Sequence, residues 1–388
     1  MTVSTFLFVL VEGLPSGLLL LMAPDLNTTT SAIGLLVTGY ALVVLVATVP
    51  LAHVTRNIPR RWVLAATIGL VVIGTVWGGA AHSYGSLLAA RLVTALAHAL
   101  FWVAVLPGTT GLFPPRVRGR VTARLAIGNS LAPLLGIPAG TWLGEHTSWR
   151  VTFWVAAGLS VVIFALVVFL FPTMKPSASG AAKAPFPDRK RFSFQLVATA
   201  LIVTGAFGLL VFVTELLRDL AGFSLSMIPG LLLIQGVAGL LGALVIARFL
   251  DRFAWESLVV ALLLVLVALV VLAAFGQHGW VAVAAIALFG FAFTAIPPTF
   301  SHRVMQNAPT SADMGIATSS AIFNLGIAGG SGLGALLVAT VGVRMVPLMG
   351  AVLIVLGLLA VLAERRFCAP LPTRRHDIDA VFPAASSN

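Results

Sequence analysis

Apolar stretches long enough to cross a bilayer alternate with short polar breaks along nearly the whole chain. A crossing helix needs about 20 mostly apolar residues. The pattern predicts twelve, over 3–23, 31–53, 61–81, 86–112, 120–144, 150–172, 194–217, 225–249, 257–276, 279–300, 313–338 and 343–363. The longest polar break, Pro172 to Phe192, is rich in Pro, Ala, Ser and basic residues and follows the sixth helix. The expected organisation is therefore a six-helix bundle over 1–172, a linker over 173–192, a second six-helix bundle over 193–363 and a polar tail over 364–388. The fold class is an all-α polytopic membrane protein with two pseudo-symmetric halves.

Charge placement orients this array. The even-numbered loops, the linker and the tail hold Arg56, Arg60 and Arg61; Arg116, Arg118, Arg120 and Arg124; Lys175, Lys183, Arg189, Lys190 and Arg191; Arg248 and Arg252; Arg303; and Arg365, Arg366, Arg374 and Arg375. The odd-numbered loops have only Arg150, Arg218 and Arg344, and Arg91 lies inside the fourth helix. By the positive-inside rule both termini and the linker are cytoplasmic, in an inner or plasma membrane.

Composition narrows the class further. The chain is 59% hydrophobic and 9% charged, unlike any soluble domain of its length. A net charge of +11 would suit nucleic acid, but it is spread over many loops and forms no single basic stripe, so nucleic acid is excluded as a partner. One cysteine, Cys368 in the tail, leaves no intrachain disulfide and no CxxC metal site. The first helix lacks a basic leader and Glu12 interrupts it, so it is not a cleavable signal peptide. There is no GxxxxGK[ST] loop, no zinc spacing and no Ser-His-Asp order, so neither an enzyme nor a cofactor is expected.

Candidate chemistry lies in a few polar residues within the apolar runs. Glu12 sits near the middle of the first helix, and acids at that depth are costly and mark ion or substrate pathways. The alternative is a hydrogen-bonded structural carboxylate. Pro15 and Gly17 loosen the same helix where a substrate would approach its backbone. Arg91, about two turns inside helix 4, needs a carboxylate, carbonyls or water, or else snorkels outward. His98 is either a packing residue or a proton carrier. Asn129, Gln235 and Asn324 bond between helices or line a cavity, and Phe101 and Trp102 line that cavity or simply pack. Glu215 and Arg218 read as a solvated pair at the outer end of helix 7. Pro297-Pro298 predicts a kink at the inner end of helix 10. Helix 5 (Gly128, Ala132, Gly136, Ala139, Gly140, Gly144) and helix 11 (Gly326, Gly329, Gly330, Gly332, Gly334) hold equivalent places in the two halves and are rich in small residues. That suits close-packed faces, and paired bundles around a midplane site suit alternating access.

With these residues in view, the chain resembles the major facilitator superfamily, and within it the twelve-helix drug–proton antiporters near the arabinose-efflux and chloramphenicol-resistance proteins. Gly128-Asn129-Ser130-Leu131-Ala132-Pro133-Leu134-Leu135-Gly136-Ile137 is similar to that group's GxxxGPxxGG antiporter motif, with Ala132 and Ile137 replacing two glycines. VEGLPSGLL in helix 1, Arg91 with Ala97-His98-Ala99-Leu100-Phe101-Trp102, Trp149-Arg150 and Asn324-Leu325-Gly326 also match. The family's GxLaDRxGRR loop appears as His53-Val54-Thr55-Arg56-Asn57-Ile58-Pro59-Arg60-Arg61, without its acid. Arg248-Phe249-Leu250-Asp251-Arg252, the half-repeat after helix 8, keeps one.

The resemblance implies a secondary transporter exporting a small organic compound, drug-like, antibiotic or sugar-like, in exchange for protons. Glu12, assisted by Arg91 and His98, would couple protons. Phe101, Trp102, Asn129, Gln235 and Asn324 would line the cavity. Gly128, Pro133 and Gly136 would form the antiporter motif, and Arg56, Arg60, Arg61, Asp251 and Arg252 a cytoplasmic gate. A weakly charged, otherwise apolar cavity favours lipophilic substrates, with sugars open to the amides. The partners are substrate, protons and lipid, and the unit is a monomer. An uptake symporter on the same fold and a non-transporting membrane sensor or scaffold are the rival readings. Reporter fusions at residue 180 and in the tail should both report a cytoplasmic location; a signal from the far side of the membrane at either would overturn the orientation.

Overall fold

The computed structural model describes residues 1–55, 57–110, 118–172, 187–246, 248–309 and 312–368. All of its regular structure is helical. Twelve passes follow in order: α1 Thr2–Asp25, α2 Thr30–Thr55, α3 Arg60–Gly79, α4 Tyr84–Thr110, an interrupted α5, α6 Trp149–Leu170, α7 Arg189–Glu215, α8 Ile228–Ile246, α9 Leu250–Phe275, a broken α10, α11 Ala312–Thr340 and α12 Met345–Phe367. α5 consists of Arg118–Leu131, a π-helical turn Ala132–Gly136, and Ile137–His146. α10 consists of Gly279–Phe293 and Ile296–Asn307. Eleven spans among the described residues, the broken α10 counted as one, are long and apolar enough to cross a membrane. α5 makes the twelfth pass in pieces.

Local chemistry explains the interruptions. Pro133 has no N–H for the carbonyl of Asn129, so the α-helical register fails there and a wide turn absorbs the defect. In α10 the regular helix stops at Phe293, and Pro297 and Pro298 enter the first turn of the next piece, where a missing N–H costs nothing. The predicted kink is thus a break. Ser148 and Asp188 cap α6 and α7, accepting from the backbone N–H of Arg150 at 3.3 Å and of Arg191 at 3.0 Å.

Two buried apolar cores organise the passes. One is built mainly from α1–α6 and the other from α7–α12. Side chains such as Phe169 and Trp280, about four-fifths exposed, form the lipid-facing surface. Without a water-driven hydrophobic force between helices, close van der Waals fit holds each bundle together. The glycines of α5 provide it on one face. A Cβ on Gly128 would lie 2.1 Å from the Thr2 carbonyl, and one on Gly136 would lie 3.0 Å from Leu10 and Phe6. α5 therefore lies flat on α1. The glycines of α11 lie on α7 in the same manner: a Cβ on Gly330 would meet the Thr204 carbonyl at 2.3 Å and one on Gly326 would meet Val203 at 2.7 Å. α1 with α5 and α7 with α11 are equivalent pairs, in keeping with an internal repeat.

Where the two groups of six meet, their contacts gather toward the face away from the basic loops. Gly34 of α2 faces Phe212 of α7, whose ring would lie 2.2 Å from an added Cβ. Thr38 and Ser331 share a hydrogen bond of 2.8 Å, and Thr214 donates to the Ser16 carbonyl at 3.2 Å. Gly236 of α8 receives the π turn of α5, at Pro133 and Leu134. A Gly128→Ala protein should lose more stability than Gly136→Ala, because its Cβ meets backbone where the other meets side-chain tips. The cost for Gly128→Ala should be about 1–3 kcal/mol, read from unfolding of the detergent-solubilised protein. Equal losses would deny the backbone contact its weight.

Candidate functional site: a central cavity with a carboxylate and an imidazole

Pro15 cannot give an N–H to the carbonyl of Val11, one turn earlier in α1. Arg91 of α4 supplies the donor. Its Nη1 donates to the Val11 carbonyl at 2.5 Å and its Nη2 to the Glu12 carbonyl at 3.0 Å. Its guanidinium carbon lies 4.5 Å from the centre of the Tyr40 ring. A buried guanidinium stays charged and must be satisfied locally. Here two carbonyls and an aromatic face do so. Among the described residues no ion pair joins Arg91 to the Glu12 carboxylate, so Arg91 acts on the backbone that carries Glu12. Gly17, expected to open α1 to substrate, is instead filled by α5: an added Cβ would lie 2.4 Å from Thr141 Oγ1.

Two turns beyond Arg91, His98 faces Glu12, with Nδ1 3.8 Å from Glu12 Oε2. The other ring nitrogen, Nε2, accepts the indole N–H of Trp102 at 2.8 Å. An indole nitrogen only donates. Nε2 is therefore unprotonated, and the proton of a neutral His98 sits on Nδ1, toward the carboxylate. The His98 side chain is nearly enclosed at 7% exposed, packed edge-on against Tyr40 and Phe8, while the Glu12 side chain is 23% exposed.

Glu12, His98 and Trp102 form one wall of a cavity of about 530 Å³. Asn129, Pro133 and Ile137 of α5 continue it. The opposite wall comes from α7, α10 and α11 and carries Thr199, Ser301, Ser319, Ser320 and Asn324 among apolar side chains such as Phe207, Phe300 and Phe323. The ionisable groups thus lie on the first six helices, and hydroxyls and an amide on the last six. On α10 the lining is confined to the segment after the break, and on α11 to the half nearer the basic loops. The cavity therefore reaches from mid-depth toward the basic face, beneath the closed seam described above.

Several expected site residues lie elsewhere. Phe101, one position around α4 from Trp102, is fully buried and stacked on Phe8 at 3.8 Å between ring centres. Gln235 does not line the cavity; it packs on Gly290 of α10. Gly128 and Gly136, expected on a close-packed face, do lie against α1, while Pro133 of the same motif lines the cavity. Of the proposed gate, Arg56 lies outside the described residues, as do the side chains of Asp251 and Arg252. Arg60 opens α3, and Arg61 donates to the Val168 carbonyl of α6, within the first bundle. Arg218 pairs with its neighbour Asp219 at 2.5 Å, not with Glu215, which is buried.

Other groups escaped the linear reading. Glu364, placed in the tail by hydropathy, belongs to α12 and is 1% exposed. It binds Arg303 of α10 at 2.6 Å and Arg191 of α7 at 3.4 Å, and Gln195 donates to it at 3.4 Å. Three residues assigned to loops and tail thus brace the second bundle at its basic end. Tyr40 and the cavity serines had no signal beyond helical spacing.

A twelve-pass helical protein of two six-helix groups, enclosing a central cavity with buried ionisable groups, has the form of a membrane transporter. The sequence matches the Major Facilitator Superfamily over residues 1–315, and the chain belongs to that superfamily. It is 27% identical over 362 residues to a "Probable sugar efflux transporter" of Helicobacter acinonychis (strain Sheeba), covering 92% of each chain, and equally to one of Helicobacter pylori (strain P12). Its fold is similar to a bacterial homologue of the human lysosomal transporter Spinster, solved inward-facing and unoccupied (TM-score 0.66, 18% identity, 95% of this chain and 98% of that one). It is similar also to the human organic anion transporter (TM-score 0.68, 16% identity, 93% and 98%) and to a mutant nucleoside transporter NupG (TM-score 0.70, 15% identity, 94% and 98%). These structural likenesses are of fold alone. Membership makes the chain a multi-pass secondary transporter of small molecules and not an enzyme.

Arg91→Leu should lower stability by about 1–3 kcal/mol by stranding buried carbonyls. In a Pro15→Ala background, where an N–H returns to Val11, the same change should cost clearly less. A double-mutant cycle on thermal unfolding checks this; additive losses would separate Arg91 from the Pro15 defect.

Proposed function

We propose that this transporter exports a small, uncharged, hydroxyl-bearing compound of sugar-like character from the cytoplasm in exchange for protons. The observation that carries the reading is the Glu12–His98 pair on the cavity wall, 3.8 Å apart and joined through His98 to Trp102. A carboxylate and an imidazole at that separation can hold one proton between them. Trp102 biases where the proton sits. Charging His98 would place a second N–H against the indole N–H, so an intact His98–Trp102 bond favours a protonated Glu12 over an imidazolium. Trp102 also lines the cavity, and a substrate stacking on its face would disturb that bond and help release the proton. Proton and substrate then compete through one side-chain chain, and the exchange follows from their different affinities in the two facing states.

The cavity surface is mainly apolar, as expected, with hydroxyls and amides set into it, and this supports an uncharged substrate with apolar faces and hydroxyl edges. Serine and threonine hydroxyls and two amides are spaced around apolar and aromatic surface, which suits a ring with hydroxyl edges and apolar faces. Among the described residues no cluster of basic side chains lines the cavity to bind a phosphate or other dianion. The sugar efflux proteins named above, at 27% identity, favour the same class and direction. With the basic loops cytoplasmic, the cavity opens inward and the seam closes the outer side. In this reading residues 1–172 and 193–363 rock against each other about the cavity, the 173–192 linker joins them on the cytoplasmic side, and the protein works as a monomer.

Glu12→Gln keeps the shape and removes the titration. In liposomes it should abolish export driven by a pH gradient while leaving counterflow exchange of labelled substrate near the wild-type rate. Proton-driven rates equal to wild type would return Glu12 to a structural role. Absence of any flux from the wild-type protein would favour a sensor, and accumulation with the proton gradient would favour a symporter.

A further inference from the structure

Glu215 is the last residue of the regular helix of α7 and is 7% exposed. It reaches across the seam between the two six-helix groups toward the hydroxyl of Thr30, the first residue of α2. Its second oxygen, Oε2, is buried with no hydrogen-bond partner among the described residues. The nearest cation of its own segment, Arg218, is committed to Asp219 through two hydrogen bonds of 2.5 and 3.1 Å. The neighbouring helices bring no substitute. The half of α2 near Glu215 and the matching half of α11 contain no charged residue. The Asp25 carboxylate at the end of α1 is paired with Arg150 at 2.5 Å. Arg344, before α12, donates to the Ala273 carbonyl at 3.4 Å.

We propose that Glu215 is a second proton-binding site, at the outer gate, and that its protonation accompanies closure of that gate. In the closed seam an ionised Glu215 has one hydroxyl donor and the positive end of α2 to offset its charge. That end acts weakly and only within the first turn, whereas enclosing a carboxylate with an unpaired oxygen, its nearby cation already bound to Asp219, is far costlier. The uncharged form is the one the closed seam tolerates. When the seam parts, at Thr38 against Ser331 and Gly34 against Phe212, water reaches the carboxylate and the charge becomes cheap to carry. The gate therefore takes up a proton from outside as it closes and returns it to the same side as it opens. Glu215 moves no proton across the membrane and leaves the exchange stoichiometry to Glu12. It makes the closing step sensitive to external pH.

This inference rests on alternating access but not on Glu12 as coupling group, so the test carries Glu12→Gln in both arms. Spin labels are placed on exposed loops of that face through Ser83→Cys and Ser226→Cys, with Cys368→Ser, in lipid nanodiscs. Label distances are measured from pH 5 to pH 8. With Glu215 present, the separated population should grow several-fold as pH rises. Glu215→Gln, which mimics the uncharged form, should stay in the short-distance population throughout. Thr30→Val, which withdraws the hydroxyl from the closed-state anion, should enlarge the separated population at high pH and leave that at pH 5 unchanged. A pH response that persists unchanged in Glu215→Gln, or a flat response with Glu215 present, would overturn the assignment. So would a Thr30→Val protein whose separated population at pH 8 is smaller than that of the parent.

Discussion

A bilayer interior offers no water to a backbone carbonyl or amide, and this constraint shapes the protein at every level. It dictates helices throughout. It also decides what happens where a helix must be imperfect. Pro15 strips one carbonyl of its donor and Arg91 supplies another, fixing α1 to α4 at the depth of Glu12. Pro133 does the same to α5, and a π turn absorbs the defect on the cavity wall. Near the helix ends, Arg61 serves the Val168 carbonyl and Arg150 the Ala81 carbonyl, joining helices within the first bundle. Arginines that look like surface charges in the sequence are to this extent backbone donors.

The same economy builds a molecule of two similar units. Glycine faces let α5 lie against α1 and α11 against α7, and Gly242 lets α8 approach α10, so each unit is stiffened by intimate helix pairs. Contacts between the units run along α2 with α11, α1 with α7 and α5 with α8, and include two hydroxyl bonds, Gly34 facing Phe212 and Gly236 facing the π turn. Stiff units that meet along a separate seam suit motion as bodies around a central cavity.

Within the cavity, division of labour follows the same boundary. The titratable groups belong to α1 and α4, where Pro15, Arg91 and Tyr40 hold them firmly. The hydroxyls and amide of α10 and α11 approach from the other unit. A ligand spanning the cavity touches both, so its binding bears on the arrangement of the units.

Much of this was determined by the sequence alone. Twelve apolar runs with uneven charge between them specify a polytopic helical protein, because length and hydropathy suffice to place a span. An acid within the first run, an arginine and a histidine two turns apart in the fourth, and the Gly-Pro pattern of the fifth marked the residues around which the cavity forms. Facing was not legible. Phe101 and Trp102 are adjacent in sequence, yet one is buried on Phe8 and the other lines the cavity, since one residue turns an α-helix by about 100°. Gln235 looked equivalent to Asn324 and points to another helix. Pairing was not legible either: Arg91 went to carbonyls, Arg218 to Asp219, Arg303 to Glu364, and Glu215 across the seam to Thr30. Hydropathy reports how deep a residue lies, but which partner it finds depends on helix rotation and neighbour choice. Only the packing of all twelve passes decided those.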